Sequence, residues 1–220
     1  MDTHTIEARG LGRSFGDQVV IENTSFTARS GMAVALTSPS GSGKSTLLSM
    51  LGLLLTPTSG EVLVDGVSTK GMGDAQLAAM RSRTFGFIFQ HTQLIGSLRA
   101  WENVAVPARF VKHPAFDPKE RSQELLERFG LGERLYHYPH QLSVGQKRRI
   151  AAARALLLDP PILIADEPTN DLDAESAGSV TEMLFQHARQ GGILLYASHD
   201  QALVGRADLV LRLTGRTFTA

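Results

Sequence analysis

The residues of this chain best suited to chemistry form one unbroken stretch: Ser38, Pro39, Ser40, Gly41, Ser42, Gly43, Lys44, Ser45 and Thr46. Gly41 and Gly43 lack Cβ, so the backbone there can take positive φ and turn consecutive N–H groups inward on a polyanion. A helix starting at the end of the stretch adds the positive end of its dipole. Lys44 supplies a full charge for the β- and γ-phosphates of a nucleotide, and the Ser45 hydroxyl suits Mg²⁺, a hard cation that prefers oxygen. The stretch reads as a Walker A loop with one departure. The usual pattern has glycine where this chain has Ser38, at the strand exit and upstream of the N–H groups that would cradle phosphate.

A second constellation lies 120 residues on, where the apolar run Ile162, Leu163, Ile164, Ala165 ends in Asp166 and Glu167. That pattern predicts a buried parallel strand delivering two carboxylates at its carboxyl end, the edge where open α/β sheets bind ligands. Adjacent strand residues point opposite ways, so the two acids can divide the work. Asp166 can hold Mg²⁺ directly or through water. Glu167 can act as general base on a water aligned with the γ-phosphate.

These groups need strands and helices to place them. Residues 5–27 predict two strands around the turn Gly16-Asp17, with Phe15 at that turn. Residues 32–37 predict the strand that enters the phosphate loop, and Leu47, Leu48 and Leu51 the helix that leaves it. Thr56-Pro57-Thr58-Ser59-Gly60 ends that helix, and 61–65 predicts a strand closed by Asp65-Gly66. A helix is expected at about 74–83 with Asp74 as N-cap, then a short strand at 85–89 ending at Gln90. From 91 to about 145 the pattern is helices and loops punctuated by Pro107, Pro114, Pro118 and Pro139, with helical spacing at 120–129. Alternation then resumes: helix 144–158, strand 162–165, helix 174–189, strand 193–197, a short helix, and strand 209–213. Strands alternating with helices imply a mostly parallel sheet covered on both faces.

Composition sets bounds. At 220 residues the chain fits one domain, long enough to bury about 70% of its unfolded surface. Lys and Arg number 22 and Asp and Glu 22, so there is no basic footprint and no nucleic-acid partner is expected. Cysteine is absent, which excludes disulfides and thiolate metal sites and fits a reducing compartment. No N-terminal signal pattern is present. The longest apolar run, around 47–55, is broken by Ser49 and Gly52 and falls short of the roughly 20 residues that span a bilayer.

With the two constellations and four further motifs in order, the chain resembles the nucleotide-binding subunit of ABC transporters. Leu142-Ser143-Val144-Gly145-Gln146 resembles the signature LSGGQ. Gln90 matches the Q-loop, Thr169-Asn170-Asp171-Leu172-Asp173 the D-loop, and His199 the switch histidine. Phe15 matches the aromatic that stacks on adenine, where tyrosine is usual. The run Thr84-Phe85-Gly86-Phe87-Ile88-Phe89-Gln90, with Leu94 and Trp101-Glu102-Asn103-Val104, is similar to the branch of macrolide exporters, lipoprotein-release ATPases, haem exporters and the cell-division ATPase.

The resemblance implies an α/β fold: a P-loop NTPase core with a mostly parallel sheet, an antiparallel β subdomain, and an inserted helical subdomain at about 91–145. The flanks, about 1–90 and 146–220, would complete one ATPase domain. It implies ATP and Mg²⁺ as ligands, with Ser45, Gln90 and Asp166 on the metal, and Glu167, His199 and Gln90 in catalysis. It also implies a head-to-tail homodimer in which Ser143, Val144, Gly145 and Gln146 meet the partner's γ-phosphate and Asp173 the partner's Walker loop. Two copies of an integral-membrane permease would sit above, with the chain peripheral on the cytoplasmic face of the inner membrane, exporting a hydrophobic or amphipathic cargo. The alternative is a regulatory module that transmits the ATP cycle through a membrane complex without cargo. A third reading, a soluble ATPase on ribosomes or DNA, fits a neutral single cassette poorly. Val144, in place of the signature's first glycine, predicts a working site with altered closure or rate.

Overall fold

Alternating apolar residues fold positions 5–29 into a hairpin. In a computed structural model, which describes residues 3–39 and 41–220, Thr5–Phe15 (β1) pairs antiparallel with Gln18–Arg29 (β2) around Gly16-Asp17. Ala33–Thr37 (β3) opens a second sheet, and Ser59–Val64 (β4) and Val67–Ser68 (β5) return to the first, whose order is β2-β1-β4-β5. The second sheet adds Phe85–Ile88 (β6), Ile162–Asp166 (β7), Ile193–Ala197 (β8), Leu209–Thr214 (β9) and Thr217–Thr219 (β10) in the order β10-β9-β3-β8-β7-β6. Its neighbours from β9 to β6 are parallel, and only β10 runs antiparallel, at the edge.

The central strands are buried on both faces, which is why their sequences read as continuous apolar runs. Strand alternation deals their side chains to two cores. Ala33, Ala35, Leu163, Ala165, Leu194 and Tyr196 face one core. Val34, Leu36, Ile162, Ile164, Ile193 and Leu195 face the other. The second core is closed by the antiparallel sheet and by Lys44–Leu51 (α1). The first is closed by Ala100–Ala105 (α3), Pro118–Arg128 (α4), Val144–Leu156 (α5) and Ala174–Arg189 (α6). Asp74–Thr84 (α2) lies ahead of β6, and Gln201–Val204 (α7) between β8 and β9.

Two expectations change at this level. The N-cap of α2 is Gly73, whose N–H donates to Gln76 Oε1 at 3.0 Å, and Asp74 sits in the first turn instead. There an aspartate still complements the helix dipole. The terminal strand is followed by β10, three residues held by pairing with β9 and by the Phe218 N–H on Thr24 Oγ1 at 3.0 Å.

The segment after β6 is fixed by one buried amide. Asn103 is fully buried; its Oδ1 accepts from Ile95 N at 2.7 Å and its Nδ2 donates to the carbonyls of Ile95, Leu98 and Arg99. A side chain that satisfies four backbone groups replaces a secondary-structure ladder in a stretch that has none.

Candidate active site

The phosphate loop leaves β3 and enters α1 through two left-handed glycines, Gly41 at φ +75° and Gly43 at φ +112°. At Gly43 a side chain is disfavoured twice, because a Cβ would also crowd Val20 Cγ1 at 3.1 Å and Ile21 Cγ1 at 3.3 Å. Among the described residues no side chain caps α1 and no acid occupies its first turn. The first N–H groups of that helix are thus left for an anion. Ser38 keeps negative φ, so nothing in the backbone demands glycine there. Its hydroxyl pairs with Ser42 Oγ, which also donates to the Pro39 carbonyl. Ser40 lies outside the described residues.

Lys44 is 7% exposed, and its Nζ donates to the Ser38 carbonyl at 2.8 Å and stands 3.6 Å from Glu167 Oε1. Glu167 Oε2 is 3.0 Å from His199 Nδ1. One carboxylate therefore lies between an ammonium and an imidazole. The backbone of Glu167 takes φ +47° while its N–H donates to the Ala197 carbonyl on β8 at 3.0 Å. A non-glycine residue in that region costs about 1–3 kcal/mol and persists where its surroundings impose it. Here the bond to β8 holds that conformation, and the side chain stands between Lys44 and His199.

Gly41, Gly43, Lys44, Ser45, Thr46, Gln90, Asp166 and Glu167 enclose a cavity of about 200 Å³. The sequence-predicted acids, lysine, loop and Q-loop glutamine are thus brought together, and His199 joins them through Glu167. Asp166 Oδ1 is buried with no hydrogen-bond partner among the described residues. A buried carboxylate oxygen left unpaired is costly. With the Ser45 hydroxyl and the Gln90 amide on the same wall it forms an all-oxygen donor set that fits Mg²⁺.

The signature residues gather elsewhere, at the start of α5. Ser143 caps the helix: its Oγ accepts from Gln146 N at 3.2 Å, and its own N–H donates to Gln146 Oε1 at 2.9 Å. This reciprocal pair is the capping box. Val144 is 55% exposed and takes no part in it. Gly145 packs on the start of α6, where a Cβ would lie 2.6 Å from Ser176 Oγ and 3.4 Å from Asp173 Oδ2. Asp173 caps α6, with Oδ1 accepting from Ser176 N and Oδ2 from Ser176 Oγ, both at 2.9 Å. Those bonds hold its carboxyl below the usual aspartate range. Phe15 stands apart at the end of β1, 48% exposed.

Two residues that matter here were not singled out in the sequence. Arg148 on α5 is 4% exposed, and its Nη1 donates to the carbonyls of Phe89 at 2.9 Å and Gln90 at 2.6 Å, with Nη2 reaching toward Asn170 O at 3.4 Å. Arg154 donates to Thr92 O and Gln93 O, both at 2.8 Å. The signature helix thus holds four carbonyls of the segment around Gln90 and touches the D-loop. The available signal was a charge in line with Ala152 and Ala155, on the buried face of an alanine-rich helix.

Comparison with known proteins places the chain in a family. Residues 21–170 match the family described as ABC transporter. An uncharacterized ABC transporter ATP-binding protein of Thermotoga maritima is 42% identical over 88% of this chain and 82% of its own length. The macrolide export ATP-binding/permease protein MacB of Aggregatibacter actinomycetemcomitans is 40% identical over 94% of this chain, which spans 33% of that protein. Among solved structures, the dimeric form of MJ0796, a bacterial ABC transporter cassette, is similar at a TM-score of 0.90 and 32% identity, over 98% of this chain and 97% of that one. The loop geometry, the carboxylate pair and the order of the motifs converge with these likenesses: the chain belongs to the ABC transporter family, as one of its ATPase cassettes.

Proposed function

We propose that this ATPase energises a separate membrane permease that exports a hydrophobic or amphipathic cargo, from a peripheral position on the cytoplasmic face of the inner membrane. The observation that carries the reading is an open, mostly apolar groove of about 680 Å³ beside the Q-loop. Phe85, Phe87, Phe89, Ile95, Pro107 and Phe110 contribute to its wall, and Phe110 is 74% exposed. Exposed apolar surface on this scale, rimmed by Arg81 and Arg154, suits an amphipathic helix laid in from a partner. Arg154 both edges the groove and holds Thr92 and Gln93. A helix seated there would thus bear on the backbone next to Gln90.

In the catalytic cycle, the N–H groups from Gly41 to Thr46 and the Lys44 ammonium bind the phosphates of ATP, and Phe15 stacks on adenine. Ser45, Gln90 and Asp166 would hold Mg²⁺, whose charge would offset that developing on the transferred phosphoryl group. Glu167 orients water and takes its proton, and His199 fixes the carboxylate and faces the γ-phosphate. Two copies close head to tail, with Ser143 and Gly145 at the tip of α5 meeting the partner's nucleotide. The similarity to a dimeric cassette supports the pairing of two copies.

The test is Phe110→Glu, a change at an exposed position outside the nucleotide cavity. Tagged wild-type protein should co-purify with one integral-membrane partner from detergent-solubilised membranes. Phe110→Glu should lose that partner while its ATPase rate in free solution stays unchanged. Equal recovery of the same partner with both proteins would overturn the reading.

A further inference from the structure

The ring of Phe15 has one face already in use. The Arg13 guanidinium lies over it, with Cζ 4.5 Å from the ring centroid. That guanidinium is itself anchored, because Nη1 donates to the Thr56 carbonyl at 2.8 Å and Nε is buried with no partner among the described residues. The neighbouring backbone is stitched to the same connection. Ser14 N donates to Thr58 Oγ1 at 3.1 Å, and Thr58 N donates to the Gly12 carbonyl at 2.8 Å.

We propose that Arg13 is a positioning residue for the nucleotide base: it braces the Phe15 ring from behind and leaves the opposite face open to a purine. This rests on the reading of Phe15 as the base platform. Phenylalanine has no hydroxyl to tether it, so on an exposed strand end its ring needs another group to fix its tilt. A planar guanidinium can lie flat on a ring while an edge N–H bonds a carbonyl, which a lysine ammonium cannot do in the same geometry.

The anchor also sets a distance. Thr56 and Thr58 belong to the connection that follows α1, and α1 begins in the phosphate loop. The base platform is therefore fastened to the connection that leaves the same helix whose first turn follows the phosphate cradle. A nucleotide whose phosphates sit at the N-terminus of α1 meets a ring already held at its working position. Pre-organisation of this kind removes an ordering cost from binding.

Titration calorimetry with ATP and with inorganic tripolyphosphate, which lacks the base, tests the brace in three variants of the full chain. Arg13→Met should weaken ATP about two- to fivefold, the scale of an exposed cation–π contact, and leave tripolyphosphate unchanged. Phe15→Ala should weaken ATP more, also without effect on tripolyphosphate. The double variant should bind ATP no more weakly than Phe15→Ala alone, because the arginine acts only through the ring. If Phe15→Ala weakens ATP and Arg13→Met does not, the brace is overturned and the platform stands. Equal weakening of both ligands by Arg13→Met assigns it a purely structural role and also overturns the brace. If Phe15→Ala leaves ATP affinity unchanged, the platform reading itself fails.

Discussion

Replacing Arg148 by methionine removes the group on which the signature helix, the Q-loop and the D-loop converge. The side chain is 4% exposed, and burial pushes its guanidinium down from the ordinary arginine range, with Asp171 only partly opposing. Backbone dipoles at Phe89 and Gln90 hold the charge, through bonds of 2.9 and 2.6 Å; the 3.4 Å approach to Asn170 is too long to count fully. Hydrogen bonds to a charged donor contribute about 1.5–3 kcal/mol each, so two give roughly 3–6. Removing the buried charge returns part of its desolvation cost, and methionine refills most of the volume. A net loss of about 2–4 kcal/mol follows, which for a domain of this size lowers Tm by roughly 5–15 °C. Arg148→Lys keeps the charge but concentrates its donors at one point, so it should fall between the two in stability. Both variants free the backbone at Gln90 and should lose kcat at temperatures where they remain folded. Thermal melts followed by ATPase rates at about 20 °C check this. A melt for Arg148→Met within 1–2 °C of wild type, with kcat unchanged, would refute the reasoning.

Two further outcomes follow from particular side chains. Val144 stands outside the capping box and is 55% exposed, so wild type and Val144→Gly should both hydrolyse ATP, with rates within about tenfold, or 1.4 kcal/mol of barrier. An inactive wild type rescued by glycine would contradict this. His187, buried near the carboxyl end of α6 with Nε2 unpartnered among the described residues, has its pKa lowered by burial, against opposing effects of Asp159 and the Pro161 backbone. The helix dipole at that end favours a cation, yet burial dominates. Below about pH 6.5, the ordinary histidine value, the unfolded chain takes up a proton that the folded chain declines. Stability should therefore fall as pH drops from about 6.5 toward the lowered value. His187→Gln should flatten Tm over that window, and parallel curves for the two proteins would exclude the histidine as the cause.

What the sequence revealed depended on how local each signal was. Strands β3, β7 and β8 are buried on both faces and announce themselves as apolar runs, and the phosphate loop is nine consecutive residues. Strand β10 has one buried side chain, Phe218, and owes its conformation to β9 and to Thr24, 194 residues away. No window of sequence contains that cause. Arg148 and Arg13 were missed for the same reason, since their partners lie 58 and 43 residues away. A helix pattern shows that an arginine faces inward without showing which carbonyls await it.

The two departures from the family's motifs separate on the same grounds. A motif letter stands for a physical requirement, and at Ser38 the requirement is absent. The positive φ values of the loop fall on Gly41 and Gly43, while Ser38 keeps ordinary backbone and spends its hydroxyl on Ser42. In the signature, the glycine that packs tightly is Gly145, pressed against Ser176, whereas Val144 turns its side chain to the surface. Within one chain, then, neither substitution displaces a neighbour. Ser38 can act only through the loop it already stabilises, so its effect belongs to nucleotide affinity. Val144 can act only on what approaches the tip of α5 from outside, so in the proposed dimer its effect would belong to closure against a second copy. Affinity in dilute monomer and rate in concentrated protein are separable measurements. A Ser38 variant should move the first, and a Val144 variant the second.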